Sequence, residues 1–168
     1  MILIRQLLPI FIAFFCAGST IGQVATTPNF SGTWTLNHAL STNSKKNGGI
    51  AESLVIISSG ESIEFHETLG NGGHTTRTYR TDGKERLTDV SHADPVVVHG
   101  YSKATWQDST LVVQFHSHLD DPTHPAIAAA TTGARATWHW RLSPNGRVLT
   151  ETFESSLGDK YSLVYDKQ

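Results

Sequence analysis

The sequence predicts an all-β chain: an antiparallel up-and-down β-barrel of about ten strands, with a β-sandwich as the alternative. Three observations carry this. Short runs of alternating apolar and polar residues recur along the chain. They are rich in threonine, and β-branched residues suit a pleated surface. Hairpin-grade turns separate the runs, at Ser59-Gly60, Asn71-Gly72-Gly73, Asp82-Gly83, Asp108-Ser109, Asn145-Gly146 and Gly158-Asp159. No stretch longer than about 14 residues shows helical periodicity.

The first segment is an address. Residues 1–22 read as a secretory signal peptide, and 15 of these 22 residues are hydrophobic. Arg5 supplies the positive start, and Leu7 to Ala17 is an apolar stretch too short to span a bilayer as a helix. Small residues follow, and cleavage after Gly22 leaves Thr20 and Gly22 at the small-residue positions. Cys16 is the only cysteine, and Phe15 precedes it where a lipoprotein signal needs a small residue. Lipidation is therefore not expected. The mature chain, 23–168, reads as a single β domain, secreted or periplasmic, without disulfides, thiol chemistry or a stable membrane anchor.

Ten strands are expected in order, at about 30–37, 52–58, 61–69, 73–80, 84–90, 100–107, 110–119, 133–142, 147–156 and 160–167. Alternation assigns their inner faces. Phe30, Trp34 and Leu36 share a face in the first, and Ile63, Phe65 and Leu69 in the third. Leu111, Val113, Phe115 and Leu119 do so in the seventh. The eighth turns Ala134, Ala136, Trp138, Trp140 and Leu142 inward and Arg135, Thr137, His139 and Arg141 to solvent. Tyr161, Leu163 and Tyr165 continue the inner face in the last. Residues 38–51 and 120–132 are the two long gaps. A loop or one helical turn is expected in the first, and one turn over Ala126 to Ala130 in the second.

Thirteen basic and 15 acidic residues leave a net charge of −2, which gives no electrostatic footprint for nucleic acid or an anionic membrane. The glycine-rich pieces sit in hairpin turns, not between a strand and a helix, so they are not phosphate loops.

The first strand carries Gly32-x-Trp34, and the last expected strand closes on Val164-Tyr165-Asp166-Lys167. With ten expected strands, this resembles the lipocalin and fatty-acid-binding protein group, the calycins. The resemblance implies a calycin-like barrel that holds a small apolar ligand, with Trp34 packed as structure at one end. Members of the fatty-acid-binding branch place two helices after the first strand, for which 38–51 is too short and polar. They also hold a ligand carboxylate with arginines inside the barrel. Here Arg77, alternating with Tyr79, is the candidate for an inward arginine. The chain is also similar to small secreted soil-bacterial proteins. The shared features are the Phe-Ser-Gly-Thr-Trp start, Thr81-Asp82-Gly83-Lys84-Glu85, Trp106 followed by Leu111-Val112-Val113, and Leu142-Ser143-Pro144-Asn145-Gly146-Arg147. That likeness implies no chemistry.

Three functions stay open. The inward aromatics Phe65, Tyr79, Trp106, Phe115, Trp138 and Trp140 are the candidate wall of a pocket for a small apolar or amphipathic ligand. The same side chains would equally fill a solid core, leaving a structural or interaction module. The third reading is metal binding. His116-Ser117-His118 puts two imidazoles on one strand face, with His139 on the next strand facing the same way, a set suited to Zn²⁺ or Cu²⁺. The opposing reading is solvated surface histidines without carboxylate support. No cofactor is expected. No catalytic motif is present, with no Gly-x-Ser-x-Gly and no paired carboxylates that stand out by spacing. Glu151 and Glu154 read as charged sheet surface. Glu67 shares the face of Phe65, where a strand end explains it most simply.

Overall fold

The structure is a computed structural model and describes residues 27–42, 50–93, 96–120, 123 and 133–168. The leader read in 1–22 and the helical turn considered at 126–130 lie outside the described residues, as does most of the first gap. Ten strands form one antiparallel sheet: β1 (Gly32–Leu36), β2 (Ala51–Ser59), β3 (Ser62–Leu69), β4 (His74–Arg80), β5 (Arg86–Ala93), β6 (Val96–Gln107), β7 (Thr110–Asp120), β8 (Arg135–Leu142), β9 (Val148–Ser155) and β10 (Lys160–Lys167). Every strand neighbours the next in sequence except at one place. The order is β4-β3-β2-β1-β10-β9-β8-β7-β6-β5, so β1 pairs with β10 and the edges are β4 and β5. The sheet curls on itself as a half-barrel, and a two-sheet sandwich is not formed. Among the described residues no helix is long and apolar enough to cross a membrane.

The strand ends match the turn chemistry. Asp108, in the β6–β7 turn, takes a left-handed φ of 52°, a conformation that aspartate tolerates better than most residues. Only β6 departs clearly from expectation, beginning at Val96 instead of near 100. Val96-Val97-Val98 does not alternate, so its strand character is hidden from a period-2 reading.

The chain ends are pinned where β1 meets β10. Trp34 is fully buried, and its indole N–H donates to the Phe30 carbonyl at 3.0 Å. Lys167 lies opposite Trp34 in the register, with its ammonium 5.2 Å from the indole centroid, within cation–π range. Gly32 has a φ of 144°, and a Cβ there would stand 2.8 Å from Lys167 Cε. The Gly-x-Trp spacing thus combines a backbone that only glycine adopts cheaply with the indole it seats. Around Trp34 pack Phe30, Leu54, Ile56, Phe65, Trp140 and Tyr165, all essentially inaccessible to solvent. Truncating a side chain of this size in such a core costs about 3–5 kcal/mol.

Gly32→Ala is expected to lower stability by about 1–3 kcal/mol in urea unfolding, because the φ is the main cost. Adding Lys167→Ala should restore little of it. Full recovery in the double variant would place the cost in the side-chain contact instead.

Candidate ligand-binding site

The interior divides along the barrel axis. One end is the dry core around Trp34. Above it lies a layer where charge enters. Alternation in β3 carries the inner face from Phe65 to Glu67, which is only 5% exposed. In β4 it brings Arg77 and Tyr79 inward. The Arg77 guanidinium grips Glu67: Nε donates to Oε1 at 2.9 Å and a terminal nitrogen donates to the same oxygen. In β9, Glu151 sits between Leu149 and Phe153 on the inner face and is 3% exposed. The Tyr161 hydroxyl donates to Glu151 Oε1 at 3.1 Å, and the Trp138 indole N–H donates to the Tyr161 oxygen at 3.3 Å. The Arg77 guanidinium carbon lies 6.0 Å from the Trp138 ring centroid. Five strands therefore supply a Glu67–Arg77 pair, with the carboxylate buried, next to a Trp138–Tyr161–Glu151 relay.

Burial sets the electrostatics of this layer. It pushes the Glu151 carboxyl up to about 7, although Arg77 and the Tyr161 hydroxyl draw it down; Glu67 pushes it up again. Burial and then the Glu151 charge raise both Tyr161 and Tyr165, which stay neutral hydroxyls. Burial alone would lower Arg77, but Tyr79, Glu67 and Glu151 outweigh it, so the guanidinium keeps its proton. The Tyr165 hydroxyl, also buried in this layer, draws the Glu151 carboxyl down as well.

Above the charged layer the barrel is hollow. A cavity of about 610 Å³ opens at the seam between β4 and β5. Tyr79 and Arg77 form one wall, Arg86 and Asp89 the other, and Phe115 and Trp138 the back. No ladder hydrogen bonds join β4 to β5; a single bridge, Asp82 to Thr105, spans from the β4–β5 link to β6. Gly100 makes the back wall possible. A Cβ there would meet the Phe115 ring at 2.7 Å and Asp89 Cβ at 3.1 Å. Ser102, small and buried, keeps the next inward position of β6 open.

The six aromatic candidates separate by depth. Tyr79, Phe115 and Trp138 line the cavity. Phe65 and Trp140 lie in the core, their rings 4.7 Å apart, and Trp106 packs edge-on against Phe30 at 5.2 Å. Alternation had placed all six inside but carried no information on height along the axis. Glu151 was missed as an interior residue. Its signal was present, since a charge between Leu149 and Phe153 on one strand face has to be inside.

The histidines face outward but do not converge. His116 stands opposite Arg135 in the β7–β8 register and His139 opposite Val112. Four residues of strand, about 13 Å, separate His116 from His139 along the sheet. His118 and His99 instead share Asp120, at 3.0 and 2.9 Å, and His116 stacks on Tyr101 with Glu85 at 3.5 Å. Among the described residues no group of three or more suitable side chains could hold a metal ion. The expected trio of His116, His118 and His139 is therefore not assembled.

Raising a buried carboxyl has a testable sign. Glu151 binds its proton more tightly folded than unfolded, so its protonation favours the native state below its folded value. Its contribution is lost as pH rises from about 4.5 to about 7. The loss is on the order of 3 kcal/mol. Glu151→Gln should flatten the wild-type decline in stability between about pH 5 and pH 8 by that order of magnitude. Parallel pH profiles for the two proteins in urea unfolding would sink this account.

No family model matches the sequence, and a search of curated proteins finds no match. Solved structures do match in fold. Lipid binding protein 8 of Caenorhabditis elegans is 14% identical with a TM-score of 0.54, over 87% of this chain and 100% of that one. A secretory abundant heat soluble protein from Ramazzottius varieornatus is 10% identical with a TM-score of 0.52, over 86% of this chain and 98% of that one. Fatty-acid-binding protein 1 of Echinococcus granulosus is 16% identical with a TM-score of 0.50, over 82% and 96%. At these identities the likeness is one of fold: the chain has the fatty-acid-binding-protein-like, calycin type of barrel.

Proposed function

We propose that this protein binds a small apolar or amphipathic molecule in the cavity behind the β4–β5 seam, and that it does so as a carrier or sink without chemistry. The observation that carries the reading is the cavity itself. At about 610 Å³ it lies within the roughly 300–1,000 Å³ of ordinary ligand pockets, with an aromatic back wall and a ready-made mouth. Solved structures of the same fold whose names describe lipid or fatty-acid binding support it. Burial of apolar ligand surface against Tyr79, Phe115 and Trp138 supplies about 25 cal/mol per Å². The relay onto Glu151 is a hydrogen-bonded interior and lacks a nucleophile beside a base, so binding is the simpler use of these groups.

The first test is native mass spectrometry of protein taken from its own compartment. A small organic mass released on denaturation is expected. Ser102→Phe fills the cavity from β6 and should abolish that mass while leaving the far core, and the unfolding transition, in place. Retention of the same mass by the filled variant would overturn the assignment of the site, and a bare protein would overturn the function.

We place the protein outside the cytoplasm, secreted or periplasmic, on the pattern of residues 1–22. The intact mass of the native protein should correspond to a chain beginning at Gln23. A mass that includes Met1 to Gly22 would remove this placement.

A further inference from the structure

Resting on the binding function proposed above, we infer that the cavity takes an apolar molecule with a cationic head, such as an alkylammonium, and discriminates against carboxylates. The cavity wall carries two guanidinium groups, and each is already held by a carboxylate. Arg77 is bound through Nε and a terminal nitrogen to Glu67. Arg86 makes a two-pronged pair with Asp82, at 2.8 and 2.7 Å. The wall also carries one carboxylate, Asp89, and among the described residues Asp89 has no hydrogen bond or ion pair. Asp89 is exposed, so the charge left over at the rim of the mouth is negative.

Its position matters as much as its sign. Asp89 stands opposite Gly100 in the β5–β6 register, and both Asp89 Cβ and the Phe115 ring crowd the space over that glycine. A head group seated against Asp89 therefore lies close to the Phe115 ring. A carboxylate beside an apolar aromatic wall suits a cation that carries an apolar tail. A carboxylate at the same place faces Asp89 directly. Arg77 offers it little in return, because Glu67, only 5% exposed, already holds and neutralises the guanidinium. Behind Arg77 stands a second buried acid, Glu151, so a carboxylate gains no positive surplus by going deeper.

The test compares decylamine, decanol and decanoate at neutral pH, each below its self-assembly concentration, by titration calorimetry with tryptophan emission as the second readout. One chain length with three heads isolates the charge. The expected order is amine, then alcohol, then carboxylate, with about tenfold or more between the two ends. Asp89→Asn should remove most of the amine's advantage over the alcohol. Glu67→Gln frees Arg77 and should raise decanoate affinity about tenfold, a gain that a misfolded variant cannot produce. Decanoate binding the wild type as tightly as the amine overturns this inference and leaves the binding function standing. Failure of all three to bind would instead remove the binding function on which it rests.

Discussion

The antiparallel pairing of β1 with β10 fixes where everything else lies. It joins the first and last strands in sequence into one continuous sheet, so the free edges fall in the middle of the sequence, at β4 and β5. A curled sheet brings those edges face to face without hydrogen bonds between them. The open seam is thus a consequence of topology, and the cavity inherits its mouth from it. The pairing is held by a local arrangement, Gly32, Trp34 and Lys167, that no neighbouring strand can replace.

Given that frame, the interior is neither a solid core nor an empty barrel. Apolar side chains fill the end beneath Phe65 and Trp140. The other end is left hollow by small groups, Gly100 and Ser102, on β6. Between the two sits the Glu67–Arg77 pair with the Trp138–Tyr161–Glu151 relay. Buried charges of this kind cost desolvation that their attraction does not always return, so they are weak evidence for stability. Their place at the floor of a cavity gives them a different significance. On the proposed binding function they leave no surplus positive charge at that floor, and the aromatic wall would contribute the apolar contact.

How far the sequence could be read depended on which physical signal each feature used. Turn residues and alternation identified all ten strands, because both are local. Face assignments held for the same reason: Ile63 and Phe65, Leu111 and Val113, and Trp138 and Trp140 all point inward. What alternation lacks is depth. Phe65, Trp140 and Trp106 looked identical to Tyr79, Phe115 and Trp138, and only the packing of ten strands together separates the core from the cavity wall. Register is likewise non-local. His116, His118 and His139 shared an outward face, yet the β7–β8 pairing sets His139 against Val112. Glu151 was obscured by a prior, that charged residues belong on surfaces, although its strand neighbours pointed the other way.

The closure of this sheet also has a bearing on time. Eight of the nine strand pairings join neighbours in sequence, and hairpins of that kind form within about 1–10 μs. The ninth does not. Asn37 and Asp166, which hydrogen-bond beside the β1–β10 ladder, are 129 residues apart. Until the last eight residues of strand are available, β1 has an unpaired edge and the indole of Trp34 lacks one wall. A chain emerging from its N-terminus cannot complete this interior before β10 has emerged. The slow, non-local step is the β1–β10 closure, and the interior stays open until β10 has joined β1.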